Sequence, residues 1–257
     1  MDLSAFDYAA AGAGALAAGV INAVAGGGTL VSFPMLVAIG IPTVQANVTN
    51  TVALCPGYLG GTYAQRRELA DQRARMTAVA PAAIAGGLAG SLLLVVTPEK
   101  AFRSAVPFLV LLACFLLVVQ DRLRALLRRR REQQGRRHDA DHVGAPLVAA
   151  VFAASVYGGF FGAGLGIMLL AVLGLLIDDT LPRLNAVKQG LSFVINITAA
   201  LFFVFSGKVE WRLAPVMAVA ALVGGTIGGR IAGRMRPQVM RVAVVAFGVA
   251  VAVKFWL

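Results

Sequence analysis

Residues 22–35 read NAVAGGGTLVSFPM, and three consecutive glycines interrupt a run, 8–65, that carries no charged side chain. Each glycine in a helix interior costs about 1 kcal/mol relative to alanine, so three in a row end a helix. Irregular backbone at membrane depth persists only where protein buries it or a watery cavity adjoins it. A second helical run, from Thr29 to about Ile39, follows the break. Thr29 and Ser32 are its expected caps, and Pro34 near its start is tolerated because first-turn N–H groups lack intrahelical partners. The stretch therefore reads as a glycine-broken hairpin, 8–41. Its second arm begins inside the membrane, with free N–H groups and the positive end of a helix dipole, which is a place for an anion.

The rest of the chain agrees with a membrane setting. Of 257 residues, 59% are hydrophobic and 14% charged, and mean hydropathy is +0.81. Soluble domains sit near 45–50% apolar and about 25% charged. Further uncharged runs span 76–98, 104–120, 143–177, 189–207 and 213–229, near the ~20 residues that a hydrocarbon core requires. The expectation is an all-α, polytopic membrane protein. The net charge of +11 collects in short polar segments between spans, as topology signals do, so no nucleic-acid partner is expected. Cys55 and Cys114 lie in apolar runs, and His138 and His142 lie in a polar connector. Neither a disulfide framework, a metal site nor a cofactor is indicated. Ala23-Val24-Ala25 imitates a signal-cleavage site, but the preceding MDLSAFD is acidic, so cleavage is not expected.

RLRALLRRRREQQGRRHDADH (122–142) divides the chain into 1–121 and 143–257, and the two parts resemble each other. Gly26-Gly27-Gly28 answers to Gly162, Gly164 and Gly166, and GGLAG (86–90) to GGTIG (224–228), at an offset of about 138. Residues 46–51 fall opposite NAVKQG (185–190). Such duplications are a common construction of secondary transporters. The first repeat reads as the hairpin 8–41 and spans 43–64, 76–97 and 101–120. The second reads as a hairpin 143–177 and spans 185–206, 213–233 and 238–256.

Orientation follows from charge. The arginines of 66–75, of 122–137 and of Arg230–Arg241 belong on the cytoplasmic side, and the N-terminus, with no cation, outside. A hairpin plus three crossings per half makes the repeats inverted, related by a pseudo-two-fold axis in the membrane plane. The rival arrangement, four parallel crossings per half, puts the 230–241 arginines outside.

All 12 carboxylates fall at segment ends or in loops, so the intramembrane acid that cation and proton carriers usually keep is missing. Lys188, about a turn into its run, reads either as a snorkelling cation or as a substrate counter-charge. Uncharged polar residues gather in QANVTNT (45–51) and NAVKQGLSFVIN (185–196). Gln189, Ser192 and Asn196 share one helix face, and amide and hydroxyl donors suit oxyanion oxygens; interhelical hydrogen bonding is the competing account. The candidate substrate-binding set is Asn22, Gly26, Gly27, Gly28 and Thr29 at the first tip, Asn47, Asn50 and Thr51 after it, Gly164 and Gly166 at the second tip, and Lys188, Gln189, Ser192 and Asn196. Gly12, Gly14, Gly86, Gly90 and the 224–229 glycines read better as helix-packing positions. Spans such as 213–233 would suit a homodimer or internal packing equally.

AGGGTLVSFPMLVAIGIP (25–42), QANVTNT and YAQRREL (63–69) resemble the first half of the TauE/SafE sulfite-exporter family, also called the 4-toluene sulfonate uptake permeases. NAVKQGLSFVINITAALFF (185–203) resembles that family's second half. The resemblance implies a multi-pass carrier of the bacterial inner membrane for sulfite, sulfoacetate or other organosulfonates, held between the two broken hairpins. Two departures stand out: the second triplet is loosened to Gly162-Ala163-Gly164-Leu165-Gly166, and no proline matches Pro34. The expected function is export of a small sulfur-containing anion by alternating access, with an anion channel built on the same helix N-termini as the alternative. An intramembrane enzyme lacks its constellation, since the histidines and carboxylates lie outside the spans. Lipid is the other expected partner, and the 122–142 segment has the charge to meet anionic headgroups.

Overall fold

The computed structural model describes residues 3–24, 27–134, 144–231 and 237–256, and every regular element among them is a helix. These are α1 (Ala5–Val24), α2 (Thr29–Ala38), α3 (Thr43–Ala64), the short α4 (Arg66–Ala70), α5 (Arg73–Val96), α6 (Glu99–Gln134), α7 (Ala145–Phe160), α8 (Leu165–Leu176), α9 (Leu181–Val204), α10 (Ala214–Ile231) and α11 (Pro237–Trp256). Three of them, α5, α6 as far as Leu127, and α9, are long and apolar enough to cross a membrane. Exposed Leu92, Phe108, Phe115 and Leu201 on these helices give the molecule an apolar outer surface, which lipid and not water would cover. The chain is a multi-pass, all-helical membrane protein. Helix α3 is less apolar because Asn47, Thr49 and Asn50 lie on it, and all three are buried.

Local chemistry sets the helix boundaries. Thr180 caps α9 by accepting a hydrogen bond from the Arg183 N–H (3.3 Å), with Pro182 in the first turn where no donor is needed. At the start of α2 the expected caps are not used. Gly28 is the N-cap residue and receives no side-chain cap, and the Ser32 hydroxyl instead donates weakly to Gly28 O (3.4 Å). Thr29 and Ser32 already belong to the helix, a position from which a side chain cannot reach the first N–H groups. Helix α6 extends past the expected span 101–120 into the polar connector, as far as Gln134. Its Arg, Leu, Ala, Glu and Gln are strong helix formers, and nothing in 122–134 breaks the pattern. Residues 135–143 lie outside the described part, as do Gly26 and residues 232–236.

Packing pairs a helix of one half with a helix of the other. Helix α1 lies along α10, α5 along α7, α3 along α9 and α6 along α11. Exchanging α1, α2, α3, α5 and α6 for α7, α8, α9, α10 and α11 returns these pairs, and also α3 on α10 for α9 on α5. Glycine makes the closest crossings possible. A Cβ on Gly224 would sit 2.1 Å from Leu16 O, one on Gly19 2.3 Å from Ala221 O, and one on Gly90 2.0 Å from Val156 O. Gly86 meets Phe152 while Gly90 meets Val156 and Phe160, so α5 and α7 run parallel. Helices α3 and α9 run antiparallel: Asn185 Nδ2 donates to Gln65 Oε1 (2.8 Å) near one end, and the Glu210 N–H donates to Thr49 Oγ1 (2.8 Å) near the other.

Polar contacts therefore gather at two opposite ends. At the first, the Glu99 carboxylate accepts from the Thr43 hydroxyl (2.6 Å) and the Thr43 and Val44 N–H groups, closing the start of α3. There Lys208 Nζ also donates to Val95 O (2.6 Å), and Gln45 Nε2 to Glu210 (3.3 Å). At the second, Arg75 pairs with Asp179 (2.8 Å), Asp179 with Arg183 (3.0 Å), and Gln72 Nε2 donates to Arg183 O (2.9 Å). Burial pushes the Asp179 carboxyl up. The Arg75 hydrogen bond, the Thr180 N–H and Arg183 outweigh that and hold it below its ordinary value.

Candidate functional site

Each hairpin turns inside the fold. The first turns at Gly27, whose φ of +87° is a left-handed conformation that favours glycine. The second passes through Gly162 (φ +76°) and Gly164 (φ +78°), the latter serving as the N-cap of α8. Both turns rest on the same stretch of α6. A Cβ on Gly27 would meet Leu117 at 2.9 Å, and one on Gly164 would meet Leu116 at 3.2 Å and Ala113 at 3.5 Å. The rings of Phe33 on α2 and Phe161 at the second turn stack edge to face at 5.5 Å. Two half-helix N-termini are thus brought side by side in the interior, each with the positive end of its dipole at the turn.

The two tips are not equivalent. At the first, the Gly28 N–H donates to Asn22 Oδ1 (2.7 Å), so α1 itself satisfies a backbone donor that the sequence offers to a ligand. A Cβ on Gly28 would lie 2.2 Å from Ala18 O, which makes this turn a tight internal crossing as well. Thr29 is buried beside it. At the second tip, the half-buried Lys188 runs alongside the first turn of α8. A Cβ on Gly166 would lie 3.6 Å from Lys188 Cδ and 3.9 Å from its Nζ. An ammonium group and a helix N-terminus there add their fields, both favouring negative charge.

The remaining candidates divide between α9 and α3. Ser192, one turn beyond Lys188, is 3% exposed and its hydroxyl has no hydrogen-bond partner. Asn196 donates to Ser192 O (2.7 Å), while the carbonyl of Gln189 accepts from Thr62 (3.4 Å) toward the far end of α3. On α3, Asn47 Nδ2 donates to the carbonyl of Phe160, the last residue of α7 (2.9 Å), and the Thr51 hydroxyl donates back to Asn47 O (3.0 Å). The amide oxygens of Asn47 and Asn50 are buried without a partner. Lys188 and Gly166 meet, as do Asn22 with Gly28 and Asn47 with the second tip. Gly26 lies outside the described residues.

Sequence reasoning alone missed Tyr157, whose hydroxyl donates to Ala163 O (2.6 Å) and braces the second turn from below. A tyrosine five residues before the glycine cluster is the only signal the sequence offers for it.

A family model described as "Sulfite exporter TauE/SafE" matches residues 11–255. Among curated proteins, the chain is 29% identical over 215 residues to the "Probable membrane transporter protein YfcA" of Escherichia coli strain K12, covering 82% of this chain and 75% of that one. It is 25% identical over 207 residues to a "Probable membrane transporter protein" of Haemophilus influenzae, covering 80% and 78%. It is 24% identical over 240 residues to the "Probable membrane transporter protein ORF9" of a Sinorhizobium species, covering 93% and 88%. No solved structure matches. The chain belongs to the TauE/SafE family and is a membrane transporter.

Proposed function

We propose that this TauE/SafE member is an exporter of small sulfur-containing anions such as sulfite, sulfoacetate or other organosulfonates, working by alternating access between two inverted repeats. The observation that carries the reading is the Lys188 side chain laid along Gly166, at the buried N-terminus of α8. A sulfonate or sulfite there would meet an ammonium group and a helix dipole, and the Ser192 hydroxyl, one turn along α9 from Lys188, has no hydrogen-bond partner of its own. Three oxygens around sulfur suit donors of these kinds.

Inversion is supported by packing. The first hairpin leads into α3 at the end where Glu99, Lys208 and Glu210 gather. The second leads into α9 at the opposite end, beside Arg75 and Asp179. That second end carries Arg66, Arg67, Arg73, Arg75 and Arg183, so it reads as cytoplasmic in the inner membrane, with the start of α1 outside. Polar contacts that join the halves at each end are suited to open in turn, one letting the anion in and the other letting it out. An anion channel remains the second reading, because the same N-termini could line a pore.

Isothermal titration of the purified protein tests the site. Sulfite or sulfoacetate should bind in preference to chloride, and Lys188→Ala should weaken that binding at least tenfold, near the 1.5–3 kcal/mol of a charged hydrogen bond. Gly166→Leu, which enters the space beside Lys188, should weaken it too. Gly27→Leu is a poor probe, since the φ of +87° and Leu117 would strain the fold itself. A folded wild type that binds no sulfur anion would overturn the substrate assignment.

A further inference from the structure

We infer that Asn47 and Asn50, together with the C-terminal end of α7, form a binding site for a monovalent cation, sodium. The inference rests on the tips being the place where ligands bind, and adds a ligand of opposite charge. Asn47 and Asn50 are 1% and 2% exposed, and the side-chain oxygen of each has no hydrogen-bond partner. Buried polar atoms are nearly always paired, so two orphans on one stretch of helix mark a group that has yet to be supplied.

The orientation of Asn47 is fixed by chemistry. Its nitrogen donates to Phe160 O, so the remaining atom is an acceptor and cannot exchange places with a donor. Asn50 follows at i+3, on the adjoining part of the same helix face. Phe160 ends α7, a half-helix that stops inside the fold, and the negative end of its dipole lies there. Carbonyl-type oxygens and a helix C-terminus attract positive charge and repel an anion. This corner therefore has the opposite preference to Lys188 and the start of α8.

The donor set selects the ion. Among the described residues no three His, Cys, Asp or Glu side chains gather as metal ligands. Calcium and magnesium sites draw on carboxylates, and soft metals on sulfur or imidazole, whereas neutral amide and carbonyl oxygens suit an alkali cation. Transporters built from broken helices use half-helix C-termini and freed carbonyls for this purpose. A cation bound there would give the carrier a coupling ion without an intramembrane carboxylate.

The test is thermal unfolding of the purified full-length protein in sodium, potassium or N-methyl-D-glucamine chloride at equal ionic strength, with no sulfur anion present. Sodium should raise the midpoint saturably. Asn50→Leu should raise the half-saturating concentration at least tenfold, and Asn50→Asp, which adds a carboxylate, should lower it. Equal midpoints in the three salts for wild type would overturn the proposal, as would an unchanged or weaker sodium response in Asn50→Asp. Because sulfite is absent, this result stands apart from the anion titration, and either reading can fail alone.

Discussion

Gly224→Ala is expected to destabilise the protein by about 3 kcal/mol, the upper part of the range for overpacking a filled interior. Its neighbour Gly225→Ala should be neutral or slightly stabilising. The two differ by one position, and composition cannot tell them apart. The added methyl of the first would lie 2.1 Å from Leu16 O, against backbone that cannot rotate away, whereas that of the second meets nothing within 4 Å. In the second case only the helix propensity changes, by up to about 1 kcal/mol in favour of alanine. Gly90→Ala, whose methyl would lie 2.0 Å from Val156 O, should repeat the effect of Gly224→Ala at the α5–α7 crossing. Thermal unfolding of the three variants in detergent checks the order. Equal midpoints for Gly224→Ala and Gly225→Ala would mean that α1 and α10 are not packed through this glycine.

The second large effect belongs to Asp179. Its side chain and that of Arg75 are 6% and 4% exposed, and they face each other at 2.8 Å across the junction of the two halves. Removing one member of such a pair leaves a buried charge uncompensated, so Asp179→Ala should cost about 3–5 kcal/mol. The double variant Arg75→Met, Asp179→Leu should recover much of that loss, because no charge is then left buried. The pH dependence has a definite sign. Asp179 is held below its ordinary value of 3.8, so its contribution is complete above that value and is lost as pH falls through the lowered one. Wild-type stability from this group should therefore be flat between about pH 5 and 8 and decline in stronger acid. Asp179→Ala should lack that acid limb. Unfolding midpoints across pH for the three proteins provide the check.

How much of this was legible beforehand depends on whether a residue acts through its own chain segment or through a distant one. The triple glycine announced a break because the cost of glycine in a helix is local, and the break lies between Val24 and Thr29. Lys188 stood out because a charge in an apolar run has few explanations, though only the fold shows Gly166 beside it. The loosened second triplet marked an asymmetry between the tips, whose cause is side-chain contact: Asn22 takes the Gly28 N–H, while Lys188 flanks Gly166. Arg75 and Asp179 lie 104 residues apart and read only as loop charges; nothing in either segment announces the other. The donor from Asn47 to Phe160 O, 113 residues away, is equally invisible to local reasoning, and it reverses the polarity expected of that asparagine by leaving its oxygen free. The continuation of α6 through the arginine-rich connector was readable in helix propensity, but charge density drew attention to topology instead.

Counterflow in proteoliposomes tests the central claim most directly. Vesicles carrying the purified protein would be loaded with unlabelled sulfite, diluted into a trace of labelled sulfite, and followed for transient uptake above the equilibrium level. A carrier that alternates around a bound sulfur anion predicts an overshoot that saturates with sulfite, is not produced by internal chloride, and is lost in Lys188→Ala. Uptake that only relaxes to equilibrium, with no overshoot and a rate linear in sulfite, would contradict alternating access and leave the pore reading. No sulfite movement from folded protein would contradict the substrate.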